Sequence, residues 1–350
     1  MKTIDNRPPV YYSNYLQLDK ILGAQAPESA KEGAEAPDEM LFIIIHQAYE
    51  LWFKQMLHEL DYVRAIFQKD QIENSSPDIY NALHRLKRVQ TIVALTVQQM
   101  DIMETMTPLD FLDFRDFLRP ASGFQSIQFK MIEAALGLQY DQRHGKGYYL
   151  SQLSEADIQR VKDQESKQSL LSLIEQWLER MPFADAPYSW NPSGTQEAFW
   201  PHYRDAYLRS LSDADEGNLA HFDALFIQPE NYPAGRSLSA KATRSALFIM
   251  LYRDYPLLHL PYEILTALLS IDHGLGMWRQ RHINMVRMTI GNRAGTGGST
   301  GADYLRKAAE THFIFKELSE LTSYLLPRQM LPKLPEALQK ELSFCTPEAR

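Results

Sequence analysis

An all-α fold is what this 350-residue chain predicts, and three observations carry that reading. Apolar residues recur at helical spacing along most of its length. Alternating stretches bounded by turn residues, the mark of half-buried strands, are scarce. No internal repeat or low-complexity tract breaks the pattern. At 45% hydrophobic and 23% charged, the chain has the make-up of a globular protein with a large core. A single cysteine, Cys345, excludes a disulfide framework, a multi-cysteine zinc site and an iron–sulfur cluster. Net charge of −8 without a basic run argues against nucleic acid. "LFIII" (41–45) and "ALFIMLY" (246–252) are too short to span a bilayer, and "MKTIDNRPPVYY" lacks a signal core. The expectation is a cytoplasmic protein with no membrane partner.

The elements follow in order. A short helix fits "SNYLQLDKILG", with Gly23 as its stop, and the polar linker "AQAPESAKEGAEAP" follows. Asp38 to about Phe67 is the strongest helix, with Glu50 and Lys54 as an i,i+4 pair. A second long helix covers about Ile79 to Met106. In "TPLD", Thr107 is the N-cap, Pro108 occupies N1 and Asp110 N3; that helix stops before Pro120. "ASGFQSIQFKMIEAALG" starts another, and "SEAD" (154–157) caps a polar helix ending near Met181. Residues 182–241 are rich in Pro, Gly, Asp and Ser, with one amphipathic piece around "EAFWPHYRDAYLRSL". An apolar helix over 242–253 ends by Pro256; Pro261 starts a long one reaching Ile290. "TGAD" (300–303) caps a last helix running to Pro327. The whole reads as one domain over 1–350, with an N-terminal arm over 1–24 and a helical segment appended over about 140–241.

Chemistry concentrates in a few places. "GNRAGTGGSTG" (291–301) holds five of the 16 glycines, with Thr296, Ser299 and Thr300 as hydroxyl donors. Neither GxxxxGK[ST] nor GxGxxG is present and no strand precedes it, so it is a connector or a ligand-covering loop of another kind. HExxH and Glu-x-x-His are absent, which removes the usual non-haem carboxylate sites. Two histidines sit on apolar stripes: Phe42, His46, Tyr49 and Phe53 share one face, and Ile271, Leu275, Trp278, His282 and Met285 share another. Each is either a core histidine with one hydrogen-bond partner or a ligand; together they admit a haem slot, non-covalent because CxxCH is missing. Arg115, four residues after Phe111, is either a surface partner of Asp113 or Asp116 or a carboxylate clamp.

"DEMLFIIIHQAYELWFKQMLHELD", "ETMTPLDFLDFRDFLRPASGFQS" and "RHINMVRMTIGNRAGTGGSTGADYLR", with "YSNYLQLDKIL" near the start, closely resemble the tryptophan 2,3-dioxygenase family, in order along nearly the whole chain. The resemblance implies an all-helical, haem-binding bundle, a homotetramer with one haem b per subunit, ferrous when active. It implies opening of the indole ring of L-tryptophan by O2 to give N-formylkynurenine, the first step of the kynurenine pathway. His282 matches the iron ligand, Trp278 the residue beside a haem propionate, and Ser122 a residue near the haem. His46 matches the histidine that accepts the indole N–H, Phe42 and Phe111 the walls around the ring, and Arg115 the carboxylate clamp. Thr296 matches the loop threonine at the amino-acid end, and Tyr12, Tyr15 and Leu16 match residues that complete a neighbouring subunit's pocket. Family members often carry His before the Asp-Glu of the His46 helix; Pro37 stands there instead, which suits a helix start. A relative oxidising another indole, or a haem or tryptophan sensor without turnover, are the competing readings. Arg115 and Thr296 favour the amino-acid substrate, and no attached signalling module is visible.

Overall fold

In a computed structural model, the structure describes residues 8–69, 77–143, 153–183, 185, 188–189, 196–212, 216–291, 293, 306 and 312–343. The expected all-α architecture holds; the described strands are β1 (Tyr188–Ser189) and β2 (Gln196–Glu197), a two-residue antiparallel pair with Tyr188 opposite Glu197.

The N-terminal helix is two short pieces, α1 (Tyr12–Leu16) and α2 (Leu18–Leu22). Gln17 separates them in the left-handed region at φ 54°, which ends a helix because an L side chain crowds the next carbonyl there. The linker carries one turn, α3 (Glu28–Lys31). Its first N–H groups, orphaned by helix geometry, donate to the buried Glu39 carboxylate from Glu28 (2.8 Å) and Ser29 (2.9 Å).

Glu39 lies on α4 (Pro37–Phe67), which starts with proline in its first turn. The Glu50–Lys54 pair is corrected: the Glu50 carboxylate accepts from Ser126 (2.6 Å) and Gln128 (2.8 Å), which helix packing brings to it, while Lys54 is exposed. The second long helix ends sooner than expected. α5 covers Pro77–Gln98 and α6 Met100–Met103, with an i−3 bond from Ile102 N–H to Gln99 O (3.2 Å) tightening the turn between them. α7 (Pro108–Arg115) starts as read: Thr107 N–H donates to the Asp110 carboxylate (2.8 Å) and Asp110 N–H to the Thr107 hydroxyl (3.3 Å). α8 (Ile127–Leu136) is capped by Ser126.

The helix expected from 154 to 181 is two. α9 (Glu155–Glu165) is polar, whereas α10 (Leu170–Glu179) buries Leu170, Leu173, Ile174 and Trp177 and has its own cap, Ser169. α11 (Phe199–Ser210) and α12 (Glu216–Phe222) follow, then α13 (Ala240–Leu251). α14 (Pro256–Ile290) begins at Pro256, not Pro261; Pro261 sits inside the helix near its start and forfeits one ladder bond. Thr296, the rest of 294–305 and the "TGAD" cap lie outside the described residues, as does Cys345. A single helix running to Pro327 is corrected. His312–Phe315 is not helical, because the N–H groups of Ile314 (3.2 Å) and Phe315 (2.9 Å) donate to the buried Asp272 carboxylate of α14. α15 (Lys316–Glu320), a 3-10 turn and α16 (Glu336–Leu342) complete the chain.

α4 and α14 pack along α5, and α8 packs on α4. Leu60, Val63, Leu86, Val89 and Ile271 are among the side chains sealed between them. The middle segment joins the same core through an aromatic group: Phe199, Tyr203, Tyr207 and Phe222 are buried against Phe248 and Tyr324, and the Tyr203 hydroxyl donates to Tyr324 O at 2.7 Å. Where α14 crosses α5, a Cβ on Gly274 would stand 2.5 Å from Val93 Cγ1. Gly274→Ala is therefore expected to destabilise the protein by about 1–3 kcal/mol, despite alanine's better helix propensity, because overpacking displaces a stiff β-branched side chain. Thermal unfolding checks this: the melting temperature falls in the single variant and recovers when Val93→Ala is added. An unchanged or higher Tm in Gly274→Ala would refute the close approach.

Candidate active site

A cavity of about 260 Å³ opens between α4, α7, α8 and α14, closed on one side by the turn at Ser122–Phe124. Aromatic rings and methionines supply one part of its wall. Phe42 lies 5.7 Å from Phe111 and 4.1 Å from the His46 ring, centroid to centroid. Trp278 stacks on His282 at 5.3 Å and lies 4.8 Å from Phe129.

His46 faces the lumen, so solvent-sized molecules reach it, although protein surrounds the ring on its other sides. Its Nδ1 is 2.7 Å from the Phe42 carbonyl. A carbonyl only accepts, so Nδ1 carries the proton, and in the neutral ring Nε2 is left as an acceptor. Burial lowers the His46 pKa and outweighs the Phe42 bond and the Glu50 charge, which raise it. His282 is more enclosed: burial, with His46 adding to it, pushes it down to about 4. Its Nδ1 is buried without a hydrogen-bond partner among the described residues. At neutral pH both rings are thus uncharged, the form that offers a nitrogen lone pair.

Arg115, at the last turn of α7, lines the cavity and is 6% exposed, which overturns the surface-pair alternative. Asp116 is held by Arg119 (3.1 Å). Ser122 lines the cavity too and caps the short turn after it, accepting from Phe124 N–H at 3.4 Å.

The structure therefore brings Phe42, His46, Phe111, Arg115, Ser122, Trp278 and His282 around one space. Tyr12 and Tyr15 do not join them; they are 75% and 73% exposed on α1, and Leu16 is half-buried away from the lining. Thr296 lies outside the described residues. Sequence reading missed a polar group in the wall: Lys130, Glu133, Arg143, Arg279 and His312. Glu133 accepts from Arg279 (2.7 Å) and Arg143, and Arg279 also donates to His312 O (3.1 Å). Burial alone would raise the Glu133 carboxyl; Arg143, His312 and Arg279 outweigh it and hold it well below the carboxylate range. The signal was a lysine and a glutamate three apart in the apolar run "FKMIEAALG".

A helical scaffold around a cavity lined by aromatic rings, two neutral histidines and the buried Arg115 guanidinium has the chemistry to take an apolar ring with an anionic end. The sequence profile of the family described as tryptophan 2,3-dioxygenase matches residues 5–223 and 230–325. The chain belongs to the tryptophan 2,3-dioxygenase family. It is 40% identical to the tryptophan 2,3-dioxygenase of Alteromonas mediterranea, over 97% of this chain and 98% of that protein. The enzyme of Bdellovibrio bacteriovorus is 41% identical over 96% and 99%, and that of Rattus norvegicus 38% identical over 95% and 86%.

Proposed function

We propose that this chain is a haem-dependent dioxygenase that opens the indole ring of L-tryptophan with O2 to give N-formylkynurenine. The observation that carries the reading is His46: neutral, fixed by Phe42 O, its other nitrogen an acceptor beside the aromatic rings of Phe42 and Phe111. Indole is apolar except for one N–H, and that N–H is what this geometry accepts. Phe42 and Phe111 flank the ring, and Arg115 takes the carboxylate bidentately. Thr296 is assigned the amino-acid end on the family's pattern.

His282 fits an iron ligand. It is a neutral imidazole in the wall, with a buried Nδ1 that no group among the described residues satisfies. Haem b bound there supplies the oxygen chemistry, and Trp278 and Ser122 would lie against it. The chain's own part is to hold the ring, neutralise the carboxylate and exclude water, which fixes the reacting carbons in place. The indole N–H is a very weak acid, so His46 orients it and does not remove its proton. The exposed tyrosines of α1 suit an arm that completes a neighbour's pocket in a homotetramer. Among the described residues, no helix is long and apolar enough to cross a membrane.

Aerobic incubation of reduced, haem-loaded protein with L-tryptophan tests the activity; retained haem without N-formylkynurenine would end the proposal. His46→Ala is expected to slow turnover by roughly 2- to 13-fold, the value of one neutral hydrogen bond (about 0.5–1.5 kcal/mol), and not abolish it. With 1-methyltryptophan, which has no N–H to donate, variant and parent should differ less. Complete loss of turnover with haem and substrate still bound would instead make His46 a proton-transfer group.

A further inference from the structure

The turn that closes one side of the cavity is tied back to the helix that carries His46. Glu50 lies four residues after His46 on α4, about 6 Å further along the helix axis. Its carboxylate accepts from the Ser126 hydroxyl (2.6 Å) and the Gln128 amide (2.8 Å), and the same amide donates to the Glu50 carbonyl (2.7 Å). Ser126 Oγ in turn accepts from Phe129 N–H (3.4 Å), so one hydroxyl joins α4, the turn and the start of α8. Hydrogen bonds to a carboxylate are stronger than neutral ones, and Glu50 and Gln128 are half-buried, which limits competition from water. Ser122, Gly123, Phe124 and Ser126 line the cavity, whereas Glu50 and Gln128 stand behind its lining. A Cβ built on Gly123 meets no atom within 4 Å, so the turn carries an open notch at that point.

We propose that Glu50 and Gln128 are positioning residues that hold the Ser122–Ser126 turn at a set distance from His46 and so limit the size of the ring the cavity admits. The inference rests on the reading above, in which His46 takes an indole N–H. A ring anchored there lies within about one helical turn of the tether at Glu50. Phe42 and Phe111, the other neighbours of such a ring, stand on packed helices. The turn is the part of the wall whose place depends on a few side-chain bonds. Braced, it rejects an extra carbon on the ring edge that meets it; released, it retreats and admits that carbon.

L-Tryptophan and its 4-, 5-, 6- and 7-methyl derivatives test this in the haem-loaded, full-length protein. The parent is expected to reject at least one methyl isomer by roughly tenfold or more in kcat/KM, the discrimination a close-fitting apolar pocket makes on one carbon. Gln128→Met, which keeps the side chain's length and removes its amide donor, should shrink that discrimination by about fivefold or more. The change should fall chiefly on KM for the methylated substrate, with kcat for L-tryptophan within about twofold of the parent. Gly123→Ala, which fills the notch with a methyl group, should widen the discrimination instead. Equilibrium binding of the same isomers, followed at the Soret band, should rank them alike in each protein. An equal fall for every substrate, with a lowered Tm, shows a structural role only and overturns the assignment. Unchanged discrimination in either variant overturns it as well, as does a parent that accepts every isomer like L-tryptophan. A haem-loaded parent that oxidises none of these substrates defeats the dioxygenase reading itself, and this inference with it.

Discussion

His282→Ala is expected to give a folded protein that does not keep haem through gel filtration. Burial holds the imidazole neutral, and among the described residues no group satisfies its Nδ1, so removing the ring strands no described partner. The side chain already borders a cavity, and the neighbouring residues have little packing to lose. Circular dichroism and Tm should therefore stay near the parent's while haem affinity falls by more than the ~10–100-fold typical of disturbing a ligand's surroundings. Normal haem content with an unshifted Soret band would remove His282 from the iron.

Arg115→Leu should act in the opposite way, leaving haem content intact and crippling turnover. The guanidinium is almost fully buried, so a substrate carboxylate beside leucine would be neither solvated nor paired. Losing one partner of such a pair costs about 2–5 kcal/mol, or roughly 30- to several-thousand-fold in kcat/KM. Tryptamine, the same ring and amine without the carboxylate, supplies the control: its turnover should change far less. If kcat/KM for L-tryptophan stays within about twofold of the parent, the clamp is elsewhere.

How much of this was legible depended on how far apart the cooperating residues lie in the chain. The 4-3-4 spacing of Phe42, His46, Tyr49 and Phe53 placed them on one face; Phe42, His46 and Phe53 line the cavity, while Tyr49 is buried. Trp278 and His282, one turn apart, were legible for the same reason. Roles were not: spacing left each histidine a core residue or a ligand, and the family resemblance supplied the choice. Arg115 was ambiguous because Asp113 and Asp116 flank it, and only the packing of α7 against the core buries it. Lys130 and Glu133 passed as ordinary helix residues, since the partners of Glu133 come from 143, 279 and 312. Helix ends were read well where a cap marks them, as at Thr107, and poorly where a long-range acceptor intervenes, as Asp272 does at Ile314 and Phe315.

Carboxylates that reach across elements have a further consequence. Glu39 holds α3, Glu50 holds the start of α8, Glu133 holds Arg143 and Arg279, and Asp272 holds residues 314–315. Each fixes the backbone or side chains of one segment to another through two or more bonds, and Ser126, Glu133, Arg143 and Arg279, among the residues so tied, line the cavity. The wall's entropy is therefore surrendered during folding and not at the moment of encounter. Ordering a mobile side chain on binding costs about 0.5–1.5 kcal/mol, and that cost is absent for every residue already pinned. A guest entering this cavity meets one wall that is already preorganised, and little is lost there to reshaping.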